Sequence, residues 1–131
     1  MRYHLEPVTG PDDSPPLVAL TTSFGSAVVG WHGTTPSMAG EYGIEWTVER
    51  DLAWNDNAHP AATPGPGLSV DDGTVMLRGR LDLTPDGAAV LDIDGSLVLF
   101  DLAHPVPQSV DGTWIEIHCH RDAVYLTPYT L

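Results

Sequence analysis

Short runs of alternating apolar and polar residues fill this chain, and no long stretch repeats apolar residues at helical spacing. In residues 42–52, Tyr42, Ile44, Trp46 and Val48 share one parity, while Glu45, Thr47 and Glu49 share the other. Successive strand side chains point to opposite faces, so this pattern predicts a strand with an apolar stripe inward and an acidic stripe outward. The same reading predicts strands at 17–22 and 26–31, and a long one from Val75 to Leu83. In that long strand Val75, Leu77, Gly79, Leu81 and Leu83 point inward, and Met76, Arg78, Arg80 and Asp82 point outward. Glycine in mid-strand marks a bulge or sharp bend. Ala89, Leu91 and Ile93 alternate with Val90 and Asp92 in the next strand. Residues 97–102 are apolar on both parities apart from Asp101, which predicts a central strand buried on both sides. Trp114–His120 and 123–126 are expected to form a last hairpin around Arg121 and Asp122.

Turn chemistry supports this cadence. Four Asp-Gly dipeptides, at 72–73, 86–87, 94–95 and 111–112, punctuate the second half. Asp-Gly suits tight hairpin turns in which two successive residues take positive φ. Thirteen Gly and twelve Pro favour many turns over long helices. Residues 1–16 hold Pro7, Gly10, Pro11, Pro15 and Pro16 and read as an irregular N-terminal arm. Residues 17–131 then form a single domain, with a loop over 55–67 and a weak signal for a short helix at 36–39. The fold class expected is all-β, a small antiparallel β-barrel, with a β-sandwich as the alternative. From Val75 to Tyr125 the order of long bent strand, hairpin pair, loop and final hairpin resembles an OB-type barrel.

Composition narrows the function classes. Eighteen Asp and Glu stand against five Arg and no Lys, a formal charge of −13. Such a chain repels phosphate backbones and anionic membrane surfaces, which disfavours nonspecific nucleic-acid binding and membrane docking. Arg78 and Arg80 with Trp114, Trp46 and Tyr42 are too thin a basic and aromatic set to reverse that. Acidity serves solubility in the plain reading, and docks a basic protein in the sharper one. The preference for Arg over Lys, with abundant Ala, Gly, Pro and Asp, fits a GC-rich bacterial genome. No signal-peptide layout opens the chain, and no apolar run approaches the ~20 residues that span a bilayer, so a cytoplasmic location is expected.

Candidate chemistry is sparse. Trp114, Glu116, His118 and His120 share one face of one strand, with Ile115, Ile117 and Cys119 opposite. Histidines at i and i+2 are close enough to hold one divalent metal such as zinc if Glu116, Asp92 or His104 adds a third ligand. The plain reading of His118 and His120 is a solvated polar face, with no cofactor. Cys119, the single cysteine, reads as a buried thiol with a raised pKa rather than a nucleophile. No nucleophile elbow or phosphate loop occurs. Trp46 reads as core, whereas Trp31 and Trp54 cap a barrel mouth or serve as partner anchors. The expectation is therefore a non-enzymatic adaptor or immunity-type protein that binds a basic protein through Trp114, Glu116 and Trp54. The alternatives are a metal-dependent enzyme using His118 and His120, and a small-ligand binder with a cavity behind Trp31 or Trp46.

Overall fold

The computed structural model describes residues 2–8, 17–32 and 40–128. Eleven strands make up nearly all of its regular structure. They are β1 (Arg2–Pro7), β2 (Leu17–Thr22), β3 (Gly25–Trp31), β4 (Gly40–Val48), β5 (Ala58–Pro60) and β6 (Gly67–Asp71), followed by β7 (Thr74–Leu83), β8 (Ala88–Ile93), β9 (Ser96–Asp101), β10 (Trp114–His120) and β11 (Val124–Pro128). Two single-turn 3-10 segments, Gln108–Val110 and Arg121–Ala123, are the only helical structure among the described residues. The chain is all-β, as its alternation predicts. The expected short helix at 36–39 lies outside the described residues.

The strands join one mixed sheet in the order β11-β4-β1-β2-β3-β6-β7-β10-β5, with β8 and β9 branching from β7. This sheet does not close as a whole. The expected barrel over Val75–Tyr125 is corrected accordingly: β7, β8 and β9 form an antiparallel array, β10 lies on the other side of β7, and β5 ends the path. Nor is the sheet purely antiparallel. β11 meets β3 in a parallel contact through Tyr125↔Gly30 and Leu126↔Trp31, and β3 meets β6 in parallel at Gly25↔Leu68. The last hairpin is also corrected. β11 leaves β10 through the Arg121–Ala123 turn, where His120 accepts a hydrogen bond from the Asp122 amide, and pairs with β4 instead.

Two further corrections concern irregular segments. Residues 2–7 of the expected N-terminal arm form β1, which pairs with both β2 and β4. The long loop over 55–67 contains β5, paired with β10 through His59↔Glu116. Proline is tolerated in both strands because it sits at an end of each, Pro7 in β1 and Pro60 in β5.

Gly79 explains how β7 serves three neighbours. Pairing with β6 ends at Gly67↔Arg78, and pairing with β8 begins at Arg80↔Asp92. A Cβ on residue 79 would lie 2.5 Å from the Asp92 carbonyl oxygen, so only glycine lets β8 come in at the changeover. The four Asp-Gly dipeptides divide into two kinds. Asp72-Gly73 and Asp94-Gly95 have positive φ at both residues (50° and 79°, 52° and 93°), the tight turn that joins β6 to β7 and β8 to β9. Only the glycine is positive in Asp86-Gly87 and Asp111-Gly112.

One apolar cluster runs from Leu5 to Leu126 and takes side chains from both ends of the sheet. The alternation predicted for β7, β8 and β10 matches the buried set: Val75, Leu77 and Leu81, then Ala89, Leu91 and Ile93, then Ile115, Ile117 and Cys119. Trp31 lies in this core with Trp46, not at a barrel mouth, while Trp54 packs against the core from a half-buried position. The exception to burial is β9. Its Val98 and Phe100 point inward, but Leu97 and Leu99 are 61% and 71% exposed. The expectation of a strand buried on both sides is wrong: among the described strands β9 is laddered to β8 alone, and its Leu97 and Leu99 side chains face outward.

Candidate binding surfaces

The residues singled out in β10 lie on the outer face of the sheet, in cross-strand rows. Trp114 stands beside Arg80, Glu116 between Arg78 and His59, and His118 beside Met76. Three of the six histidines and two of the five arginines therefore share one face of an acidic protein. Arg78 is held in place. Its Nε donates to the Gly65 carbonyl at 2.9 Å, and its Nη1 lies 3.5 Å from Glu116 Oε2. A Cβ on residue 67 would stand 2.7 Å from Nη2, so Gly67 leaves room for the guanidinium to lie across β6.

Glu116 is accordingly engaged by Arg78, and its Oε1 lies 3.6 Å from His118 Nε2. The His59 and His118 rings stand edge to face, their centroids 6.4 Å apart. His118 and His120 project from the same face as expected, but His120 Nδ1 takes the Asp122 amide at 3.2 Å. Among the described residues no group of three His, Cys, Asp or Glu side chains is placed to hold a metal ion. Trp114 is half-buried on this face. Trp54 is half-buried, packs against the core and bridges Ala58 of β5, the strand beside β10. Burial pushes the Cys119 thiol up to about 11, the Arg50 charge pulling in the opposite direction, which makes it a poor nucleophile at neutral pH.

A second surface lies where β4 and β9 run side by side. Among the described residues no ladder joins these two strands. They come together just past their ends, where Leu52 and Leu102 form a parallel bridge. Between them lie two cavities that share Leu99. One, of about 330 Å³, is lined by Ile44, Glu45 and Trp46 of β4 and by Gly95, Ser96, Leu97 and Leu99. The other, of about 630 Å³, lies between residues 48–51 and Ala88, Leu99, Phe100 and Asp101. Glu45, Glu49, Asp51 and Asp101 edge this seam, all exposed, against one cation, Arg50.

The indole of Trp46 adds a polar demand to the seam. Trp46 is 7% exposed, and its Nε1 has no hydrogen-bond partner among the described residues. A buried donor left unpaired costs on the order of 1–3 kcal/mol. Sequence reasoning placed Trp46 in the core, which is right, and missed Leu97 and Leu99. Their signal was present as apolarity on both parities of one short strand, which an exposed edge produces as readily as double burial.

No protein-family model, curated protein or solved structure matches this chain. No helix among the described residues is long and apolar enough to cross a membrane.

Proposed function

We propose that this chain is a non-enzymatic binding protein that docks a basic protein partner through the seam between β4 and β9. The observation carrying this reading is the pairing of two exposed leucines, Leu97 and Leu99, with an acidic border. Magnitudes divide the labour. Fully burying a leucine contributes about 1.5–3 kcal/mol, whereas an exposed ion pair contributes about 0.2–1 kcal/mol. The leucines thus supply affinity, and Glu45, Glu49, Asp51 and Asp101 select the sign of the partner and speed its approach. The net charge of −13 extends that selection over the whole molecule.

The role this suits is that of an adaptor or immunity-type protein of the cytoplasm. In architecture we read β1, β2, β3, β11 and β4 as a small OB-like barrel carrying the seam on its β4 side. The support is that each of these strands pairs with two others of the set, β11 reaching back to β3.

Calorimetric titration with two short capped peptides tests the docking reading, one alternating arginine with valine and the other glutamate with valine. The basic peptide is expected to bind and to weaken as salt is raised; the acidic one is expected not to bind. Equal affinity for both, or indifference to salt, overturns the reading.

A further inference from the structure

We infer that the segment bound at the seam is an extended peptide whose backbone carbonyl accepts the indole N–H of Trp46. This rests on the docking reading above and adds the form of the partner. Trp46 Nε1 is an unpartnered donor in a residue more than nine-tenths buried, and that residue lines the smaller cavity together with Leu97 and Leu99. An indole nitrogen donates and does not accept, so the occupant must bring an acceptor. Lysine and arginine head groups, which the acidic border attracts, have none. A carboxylate would meet Glu45 in the same cavity and the charge of the whole chain. What remains is a neutral acceptor, and an extended backbone offers a carbonyl at every residue.

The edge of β9 is built for the same form of ligand. The two-residue turn Asp94-Gly95 sets the register, so Ser96, Val98 and Phe100 exchange bonds with β8. Leu97, Leu99 and Asp101 turn their backbone groups to the opposite side. Asp101 confirms this parity, because its carbonyl takes the Leu52 amide at 2.8 Å. The amide and carbonyl groups of Leu97 and Leu99 have no such partner among the described residues. An exposed edge flanked by side-chain cavities is the arrangement that recognises peptides by strand addition. Alternate residues of the segment would then rest on Leu97 and Leu99 or reach Glu45, Glu49, Asp51 and Asp101.

The test is a titration of the nitrogen-15-labelled full chain with the capped arginine–valine peptide, following the indole signals of the four tryptophans. Trp46 is assigned as the signal absent from Trp46→Phe. It is expected to move downfield to saturation, and Trp46→Phe is expected to bind roughly 5- to 10-fold more weakly, the loss of one hydrogen bond. If the peptide binds with salt sensitivity while the Trp46 signal stays still, the peptide-carbonyl inference is overturned and docking at the seam stands. If the peptide does not bind at any salt concentration, the docking reading falls and the inference with it. The signal in the unmodified chain decides the matter even if Trp46→Phe folds poorly.

Discussion

The Asp101 carbonyl accepts the Leu52 amide at 2.8 Å, and this bond marks where the open seam between β4 and β9 ends. Beyond it the two strands are bridged at Leu52↔Leu102; before it they stand unpaired, with Leu97 and Leu99 exposed along the way. On the proposed reading, binding is a property of an edge that stops short of closing, and each consequence is measurable.

Replacing the exposed leucines separates binding from folding. Leu97→Ser and Leu99→Ser are expected to change unfolding free energy by no more than about 0.5 kcal/mol, as surface substitutions do. Phe100→Ala, one residue on but buried, is expected to cost about 3–5 kcal/mol. Urea unfolding followed by tryptophan fluorescence compares them, and a large loss for Leu99→Ser would mean that the side chain is a core residue after all.

Charge reversal at the border is expected to act on association. The double substitution Glu49→Arg, Asp101→Arg should slow binding of the basic peptide and flatten its dependence on salt, with little effect on dissociation. Stopped-flow measurement at two ionic strengths reads both rates; an effect confined to dissociation would place the charges inside the contact rather than around it.

Gly79→Ala is expected to destabilise the fold by about 1–3 kcal/mol, because its Cβ would press on the Asp92 carbonyl 2.5 Å away. The damage should reach β8 and β9, whose ladder to the rest of the described sheet runs through β7. Amide exchange measured strand by strand would show it, and an unchanged β8 would refute the changeover role given to this glycine.

The Cys119 thiol ties stability to alkaline pH. Its folded pKa, about 11, is above the unfolded value of 9.0, so the folded state holds its proton more tightly. The resulting stability is complete below about pH 9 and is lost as pH rises through the folded value. Cys119→Ala should remove that part of the alkaline decline in thermal midpoint. Thiol reagents at pH 8 should label the native chain slowly and the unfolded chain at once; rapid native labelling would contradict burial.

Much of the fold was legible in the residues. Parity alone assigned the inward faces of β7, β8 and β10, because those strands each have one face on the core and one in water. Local pattern could not reveal that β11 pairs with β4 and β3 rather than with β10, since that choice is made by residues far apart in sequence. Nor could it separate an edge from a centre. Leu97 and Leu99 are as apolar as core residues, yet β9 is laddered to β8 alone among the described strands and their side chains face outward. On the outer face of β10, parity placed Glu116 beside His118 but could not show its tie to Arg78, which depends on a glycine two strands away. Trp46 was placed in the core without any sign that its nitrogen lacks a partner.

Chemical-shift mapping of the labelled chain with the arginine–valine peptide tests the seam most directly. Amide shifts are expected to concentrate in residues 44–51 and 95–101, with the Trp114–His120 face of β10 unmoved. Shifts centred on Trp114, Glu116 and His118, with the seam silent, would contradict it.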